Sequence, residues 1–276
     1  MIKVICAVNQ KSGVGKTTST IILAMAFVKR GANVLVIDSD PQSTLSIAFG
    51  LGHAELDELH GTGKGYYNGL TREYPPFETV VIDGAPSIIP AGIHLANAEI
   101  EIASPFGTAT VLKEKITELR KRYDVILIDC PPSLSLLTVN AIAASDAVFI
   151  PCKTDYFSVM GVPHLIGAVE QVRRHLNSQL EILGILPTMF DEQNEDDRRA
   201  LFRLQSRSRP AYMFDPMAPL AELDRARLEG VSFIEFLSGE SGDVEIAKFN
   251  EVVERIMNYE EIQKSPQKMR QRFRST

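Results

Sequence analysis

Lys11, Lys16 and Thr17, with Asp38, Asp40 and Asp129 further along the chain, are the residue types that phosphoryl chemistry uses. Such chemistry needs cations for phosphate oxygens, and a hydroxyl and carboxylates for a divalent metal. The first three lie in Gln-Lys-Ser-Gly-Val-Gly-Lys-Thr-Thr, Gln10 to Thr18. A loop of this kind binds phosphate because successive backbone N–H groups, unobstructed by side chains at Gly13 and Gly15, converge at the positive end of the following helix. Lys16 would neutralise the β/γ charge, and the Thr17 hydroxyl would complete a Mg²⁺ shell otherwise made of water and phosphate oxygen. The expected nucleotide contacts within the loop are Gly13, Val14, Gly15, Lys16, Thr17 and Thr18. Gln10 stands where the usual G-x-x-x-x-G-K-[ST] pattern begins with glycine, and a second lysine, Lys11, follows at once. A tight strand-to-helix turn that merely contains lysine is the bland alternative. Against it stand the strand-like run Ile2 to Val8 before the loop and the helix-like run Thr17 to Lys29 after it. A dinucleotide-binding dehydrogenase is excluded, because the loop lacks G-x-G-x-x-G spacing.

Carboxylates arrive at two further places. Asp38-Ser-Asp40-Pro41-Gln42 follows the strand-like run Val34 to Ile37, so that one acid can hold metal-bound water while the other positions the attacking water. Asp129 ends the apolar run Val125 to Ile128 and precedes Cys130-Pro131-Pro132-Ser133, as an acid that reaches Mg²⁺ does in phosphate-loop enzymes. Asp83, after Val80 to Ile82, has a similar position, but Gly84-Ala85-Pro86 follows it in a poorly patterned region; Asp129 is preferred. Each aspartate alone reads equally well as a strand-end residue capping the next helix. Three of them in register with a phosphate loop favour a site.

The elements that must position these residues alternate. Strand-like runs cover Ile2 to Val8, Asn33 to Ile37, Thr79 to Ile82, Asp124 to Ile128, Ala147 to Pro151 and Leu180 to Pro187. Helix-length stretches include Thr17 to Lys29, Ala109 to Tyr123, Ser158 to His175 and Asp196 to Gln205. Continuously apolar strands between helices predict a doubly wound, mostly parallel α/β sheet covered by helices on both faces. Its ligands bind beyond the carboxyl ends of the strands, where the phosphate loop, Asp38 and Asp129 should converge. Gly61 to Pro90 is glycine- and proline-rich with weak periodicity, and Ala247 to Ile262 reads as an amphipathic helix.

Composition bounds the rest. With 276 residues, 45% hydrophobic and 23% charged, the chain can bury a sizeable core. A net charge of −6 and a pI near 5.5 argue against a protein that coats nucleic acid over its whole surface, while leaving room for a local basic patch. Cys6, Cys130 and Cys152 lie in or beside apolar runs without metal or disulfide spacing, which fits a reducing cytosol. No stretch has membrane-spanning length, and Met-Ile-Lys-Val opens a strand, not a signal peptide. A cytoplasmic protein is expected, with one domain over residues 1–263 and a basic tail over 264–276.

Together these motifs resemble the ParA/MinD family of deviant Walker ATPases, closest to its ParA-type, Soj-like partition branch. Asn9 to Thr18 is similar to the family's Asn-Gln-Lys-Gly-Gly-Val-Gly-Lys-Thr-Thr, and Asp38 to Gln42 to its Asp-x-Asp-Pro-Gln. Ile89-Pro90-Ala91 with Leu95 to Glu99, and Asp129 to Ser133 with Leu136 to Ala141, carry further likeness; Gly184 to Met189 and Glu229 to Ser232 are weaker echoes. The resemblance implies a phosphate-loop ATPase fold with ATP and Mg²⁺. It makes Lys11 the signature lysine that crosses a dimer interface to the opposite subunit's phosphates, and Lys16 the Walker A lysine. Thr17, Asp38 and Asp129 become the metal-site residues, and Asp40 the residue that orients water for hydrolysis. ATP would hold two subunits face to face and hydrolysis would release them. The chain departs from the pattern at Ser12, where the family has glycine beside the signature lysine, and at Ser43-Thr44, where it has Gly-Asn, a change expected to be mild. The family's Ile-Pro-Arg segment near the adenine is not evident between Tyr212 and Leu223.

The resemblance also implies partners: a second copy in an ATP-dependent homodimer, nonspecific DNA, and a ParB-like centromere-binding or cargo-adaptor protein, with the chain nucleoid-associated. Few residues precede the loop, so no operator-reading domain is expected in front of it. Arg198, Arg199 and Arg203 share one expected helix with Glu195, Asp196 and Asp197 and read equally as a solvated face; Arg225 and Arg227 are similarly ambiguous. Lys264, Lys268, Arg270, Arg272 and Arg274, interleaved with Met269 and Phe273, read either as a phosphate-contacting tail or as a frayed terminus. Two large apolar residues against five charges are too few for an interfacial membrane helix, so DNA is favoured over membrane. The alternatives are a relative that positions a protein cargo over the nucleoid, a membrane-associated MinD-like switch, and a nucleotide switch that barely hydrolyses.

Overall fold

A computed structural model describes residues 3–71, 77–103, 108–208 and 211–259, with the side chains of 108 and 227 excepted. In chain order the first half comprises β1 (Val4–Ala7), α1 (Lys16–Val28), β2 (Val34–Asp38), α2 (Thr44–Ala48), α3 (His53–Gly61), α4 (Tyr66–Thr71), β3 (Ser87–Ile89) and α5 (Leu95–Glu101). A 3₁₀ turn (Thr108–Thr110) leads to α6 (Val111–Lys115), α7 (Thr117–Arg122), β4 (Val125–Asp129), α8 (Leu136–Ala144), β5 (Ala147–Lys153), α9 (Tyr156–His175), β6 (Glu181–Thr188) and α10 (Glu195–Arg207). Four helices close the described chain: α11 (Ala221–Leu228), α12 (Phe233–Ser238), α13 (Glu240–Ala247) and α14 (Asn250–Met257).

The six strands form one sheet in the order β3-β2-β4-β1-β5-β6, and every pairing between them is parallel. Parallel neighbours cannot be joined by tight hairpins, so helices must cross over the faces. Strand alternation feeds two cores. Val4, Cys6, Leu35, Ile37, Ile126, Ile128, Val148 and Ile150 point to the face covered by α4 to α10. Ile5, Ala7, Val34, Val36, Val125, Leu127, Ala147 and Phe149 point to the face covered by α1, α2, α3 and α11 to α14. Because both faces are buried, these strands read as unbroken apolar runs, and all three cysteines are buried free thiols.

Three expectations need correction. The run Thr79 to Ile82 is not a strand: Val80 makes one isolated antiparallel bridge to Ile88, and Val81 is 72% exposed. The strand beside β2 is Ser87–Ile89, in register Leu35 with Ser87 and Ile37 with Ile89, because its isoleucines are the ones buried. The stretch Ala109 to Tyr123 is no single helix but a 3₁₀ turn and two short helices that place Leu112, Ile116 and Leu119 in the core. The expected helix Ala247 to Ile262 starts later: α13 ends at Ala247 and α14 runs Asn250–Met257, and residues 260–262 lie outside the described residues. The basic tail from Lys264 and the boundary proposed at 263 lie outside the described residues.

Candidate functional site

The carboxyl ends of β1, β2 and β4 bring the expected residues together. Asp38 and Asp129 are register partners on adjacent strands, and β4 also lies against β1, which leads into the loop. Between β1 and α1 the chain turns tightly, with Gly13 at φ 67° and Gly15 at φ 85°, the left-handed region that side-chain-bearing residues avoid. Asn9 frames the entry: its Nδ2 donates to the Pro151 carbonyl at 2.8 Å, and its Oδ1 accepts the Lys11 N–H at 3.0 Å. No side chain caps α1 and its first turn holds no acid, so the amide donors at its start are not taken up by a capping side chain.

Lys16 is buried, and its ammonium donates to the Lys11 carbonyl at 3.1 Å, curling back over the loop. Burial pulls it below its ordinary pKa, and the charges of Asp129 and Asp40 oppose that without cancelling it. The Thr17 hydroxyl donates to Asp129 Oδ2 at 2.5 Å, while Asp129 Oδ1 is buried with no hydrogen-bond partner. Burial, then the charge of Asp38, pushes the Asp129 carboxyl up to about 8 against the Thr17 hydroxyl and Lys16. Asp38 is fully buried and more completely satisfied. Its Oδ1 accepts the Asp40 N–H at 3.1 Å, and its Oδ2 accepts the Ser46 N–H at 2.9 Å and hydroxyl at 2.6 Å. Burial still lifts it to about 6. Both adjoining carboxylates are raised chiefly by burial. An unpartnered carboxylate oxygen beside a hydroxyl is the donor set that a hard divalent cation takes up.

Asp40 is half-buried at the end of the same segment and accepts the Gln42 N–H at 2.9 Å on Oδ1. Its carboxylate therefore stands at the site's mouth, held by a local turn. Ser43 follows at φ 57°, a left-handed conformation. Thr18 lies half-buried in the first turn of α1, Val14 is buried, and Ser12 is exposed.

Lys11 is engaged within its own chain. Its ammonium pairs with both carboxylate oxygens of Asp155, at 2.7 and 2.8 Å, and sits 5.9 Å from the Phe157 ring centroid. Asp155 also caps α9, accepting the Ser158 N–H at 2.9 Å. Partial burial pushes the Asp155 carboxyl up, but Lys11 and the two Ser158 donors together outweigh it and hold it below its ordinary value. Asp155, Ser46 and Asn9 were assigned no role from the sequence. Asp155 has a local signal, an acid three residues before a serine at a helix start; Ser46 and Asn9 act through contacts that spacing does not announce.

The basic residues of α10 are largely occupied. Arg198 donates to the Glu192 carbonyl, Arg199 pairs with Glu195 at 2.5 Å, and the Arg203 guanidinium lies 5.4 Å from the Tyr156 ring centroid. Asn194 caps α10, and three acids, Glu195, Asp196 and Asp197, lie in its first turn. Arg225 pairs with Glu222. No described helix is long and apolar enough to cross a membrane.

Comparison with known proteins places these features. The AAA domain family matches residues 2–182. An uncharacterized protein of Mycobacterium tuberculosis is 40% identical over 208 residues, 74% of this chain and 64% of that relative's length. The chromosome partitioning protein ParA of Caulobacter vibrioides is 38% identical over 197 residues, 70% of this chain and 72% of the relative. Among solved structures, cobyrinic acid a,c-diamide synthase from Mycobacterium smegmatis with bound ADP and magnesium superposes with a TM-score of 0.72 at 31% identity, covering 83% of this chain and 95% of its own.

Proposed function

The chain belongs to the ParA/MinD family of deviant Walker ATPases, and from that membership and the geometry of its site we propose that it is a ParA-type ATPase. In this reading it binds ATP with Mg²⁺, pairs with a second copy in that state, and holds DNA without sequence preference. It then hydrolyses ATP so as to segregate plasmid or chromosomal DNA with a ParB-like partner, in the cytoplasm over the nucleoid. One observation carries the nucleotide assignment. The Asp129 carboxylate, its Oδ2 accepting the Thr17 hydroxyl and its Oδ1 unpartnered, lies by Lys16 at the uncapped start of α1. A solved relative with ADP and magnesium supports it.

In this reading the loop amides and Lys16 hold the phosphates, where preformed donors cost no reorganisation as charge develops. Thr17 and Asp129 hold Mg²⁺, and Asp38, fixed by Ser46, supports them from the adjacent strand. When bound, the metal neutralises charge on the phosphate oxygens. Asp40 orients the attacking water. Lys11 leaves Asp155 to reach the partner's phosphates in the dimer, so that hydrolysis depends on pairing.

Phosphate release is the test. The wild-type chain should hydrolyse ATP slowly with Mg²⁺ and stop with EDTA, and Lys16→Ala should lose turnover. Equal activity in Lys16→Ala would contradict the assignment. DNA retardation with ATP but not ADP, weakening steeply with salt, would support the DNA arm.

A further inference from the structure

The phosphate loop is anchored at its crest by a residue from the far side of the sheet. The Thr188 hydroxyl, at the carboxyl end of β6, donates to the Val14 carbonyl at 2.9 Å across 174 positions of sequence, and both residues are buried. Val14 lies between the two left-handed glycines, Gly13 and Gly15, where the backbone is freest to flip. Its carbonyl belongs to the same planar peptide as the Gly15 N–H, and in a trans peptide the two point in opposite directions. A donor clamped on the carbonyl side therefore fixes the amide on the other side. We propose that Thr188 is a positioning residue for nucleotide binding, locking the Val14–Gly15 peptide so that the Gly15 N–H is presented to phosphate and the Val14 carbonyl is turned from it.

Thr188 is itself held. Its carbonyl accepts the Thr154 N–H at 3.1 Å, and the Thr154 hydroxyl donates at 3.0 Å to Asp197 in the first turn of α10. Its Cγ2 stands 3.7 Å from where a Cβ on Gly15 would lie, so its methyl packs against the loop it bonds. Without the hydroxyl, the Val14 carbonyl is either buried without a donor or free to flip toward the phosphates. Either way binding suffers.

The inference rests on the nucleotide reading, and one titration separates the two. Binding of ATP-Mg²⁺ is measured by calorimetry on the wild-type chain, Thr188→Val and Thr188→Ser, with the thermal midpoint of each chain without nucleotide. Thr188→Val should bind roughly tenfold more weakly, since one net hydrogen bond to a buried acceptor is lost. Thr188→Ser should restore most of the affinity, and the midpoints should differ far less than the affinities. If Thr188→Val does not fold, Thr188→Ala against Thr188→Ser carries the same comparison. A wild type that binds while Thr188→Val binds as tightly, or Thr188→Ser as weak as Thr188→Val, overturns the inference alone. A wild type that binds no nucleotide overturns the nucleotide reading and this inference with it.

Discussion

At the residue scale, acids of one type do different work because their surroundings differ. Asp38 spends its oxygens on Ser46 and the Asp40 N–H, Asp129 keeps one oxygen open, and Asp40 stands at the mouth. Asp40→Ala should keep ATP affinity and lower turnover by about a hundredfold or more, the usual worth of a group that positions or activates water. Phosphate release alongside a binding titration checks this, and unchanged turnover would move that role elsewhere. Ser43 occupies a left-handed conformation where the family resemblance has glycine. Ser43→Gly should leave stability equal or raise it by about 0.5–1 kcal/mol, because relief of backbone strain exceeds the entropy that glycine adds to the unfolded chain. Thermal melting decides it.

Asp155 permits a pH test. Its folded pKa is depressed, so its contribution is present above the unfolded value and is lost as pH falls through the folded one. Asp155→Asn keeps the helix cap and removes the charge. With both side chains of the pair about a third exposed, the wild type should exceed this variant by only about 0.5 kcal/mol at pH 7. The gap should close as pH drops below about 4. A gap that widens on acidification would contradict the pairing.

At the element scale, packing overrides propensity where helices meet closely. Gly242 lies in α13, and a Cβ there would fall 2.4 Å from the Leu237 Cα of α12. Helix propensity favours alanine over glycine by about 1 kcal/mol, but backbone cannot yield as a side chain can. Gly242→Ala should therefore destabilise by about 1–3 kcal/mol, read from denaturant unfolding. The same contrast explains what the sequence disclosed. Strands β1, β2, β4, β5 and β6 were legible because burial on both faces leaves continuous apolar runs. Strand β3 was not, since three residues carry no period and the more apolar run Val80 to Ile82 competed with it. The site's loop and acids were legible because their spacing along the chain is itself chemical. Asn9, Ser46 and Thr188 were not, because each acquires its role from tertiary contacts, two of them with partners more than 140 positions away.

At the scale of the whole molecule, the account joins a site to an assembly. Lys11 is occupied by Asp155 within its own chain; in the proposed reading its work lies on another subunit, and the site would be complete only when two copies meet. With a net charge of −6, the proposed DNA binding would fall to a local face, and α10 offers few unengaged cations for it. Light scattering on the chain eluting from a sizing column, with ADP and then with ATP-Mg²⁺, in the wild type and Lys11→Ala, tests the central claim most directly. The account predicts one chain of 30.5 kDa with ADP, twice that mass with ATP-Mg²⁺, and no ATP dimer for Lys11→Ala. A single chain under both nucleotides, or a dimer that forms equally well without Lys11, would contradict it.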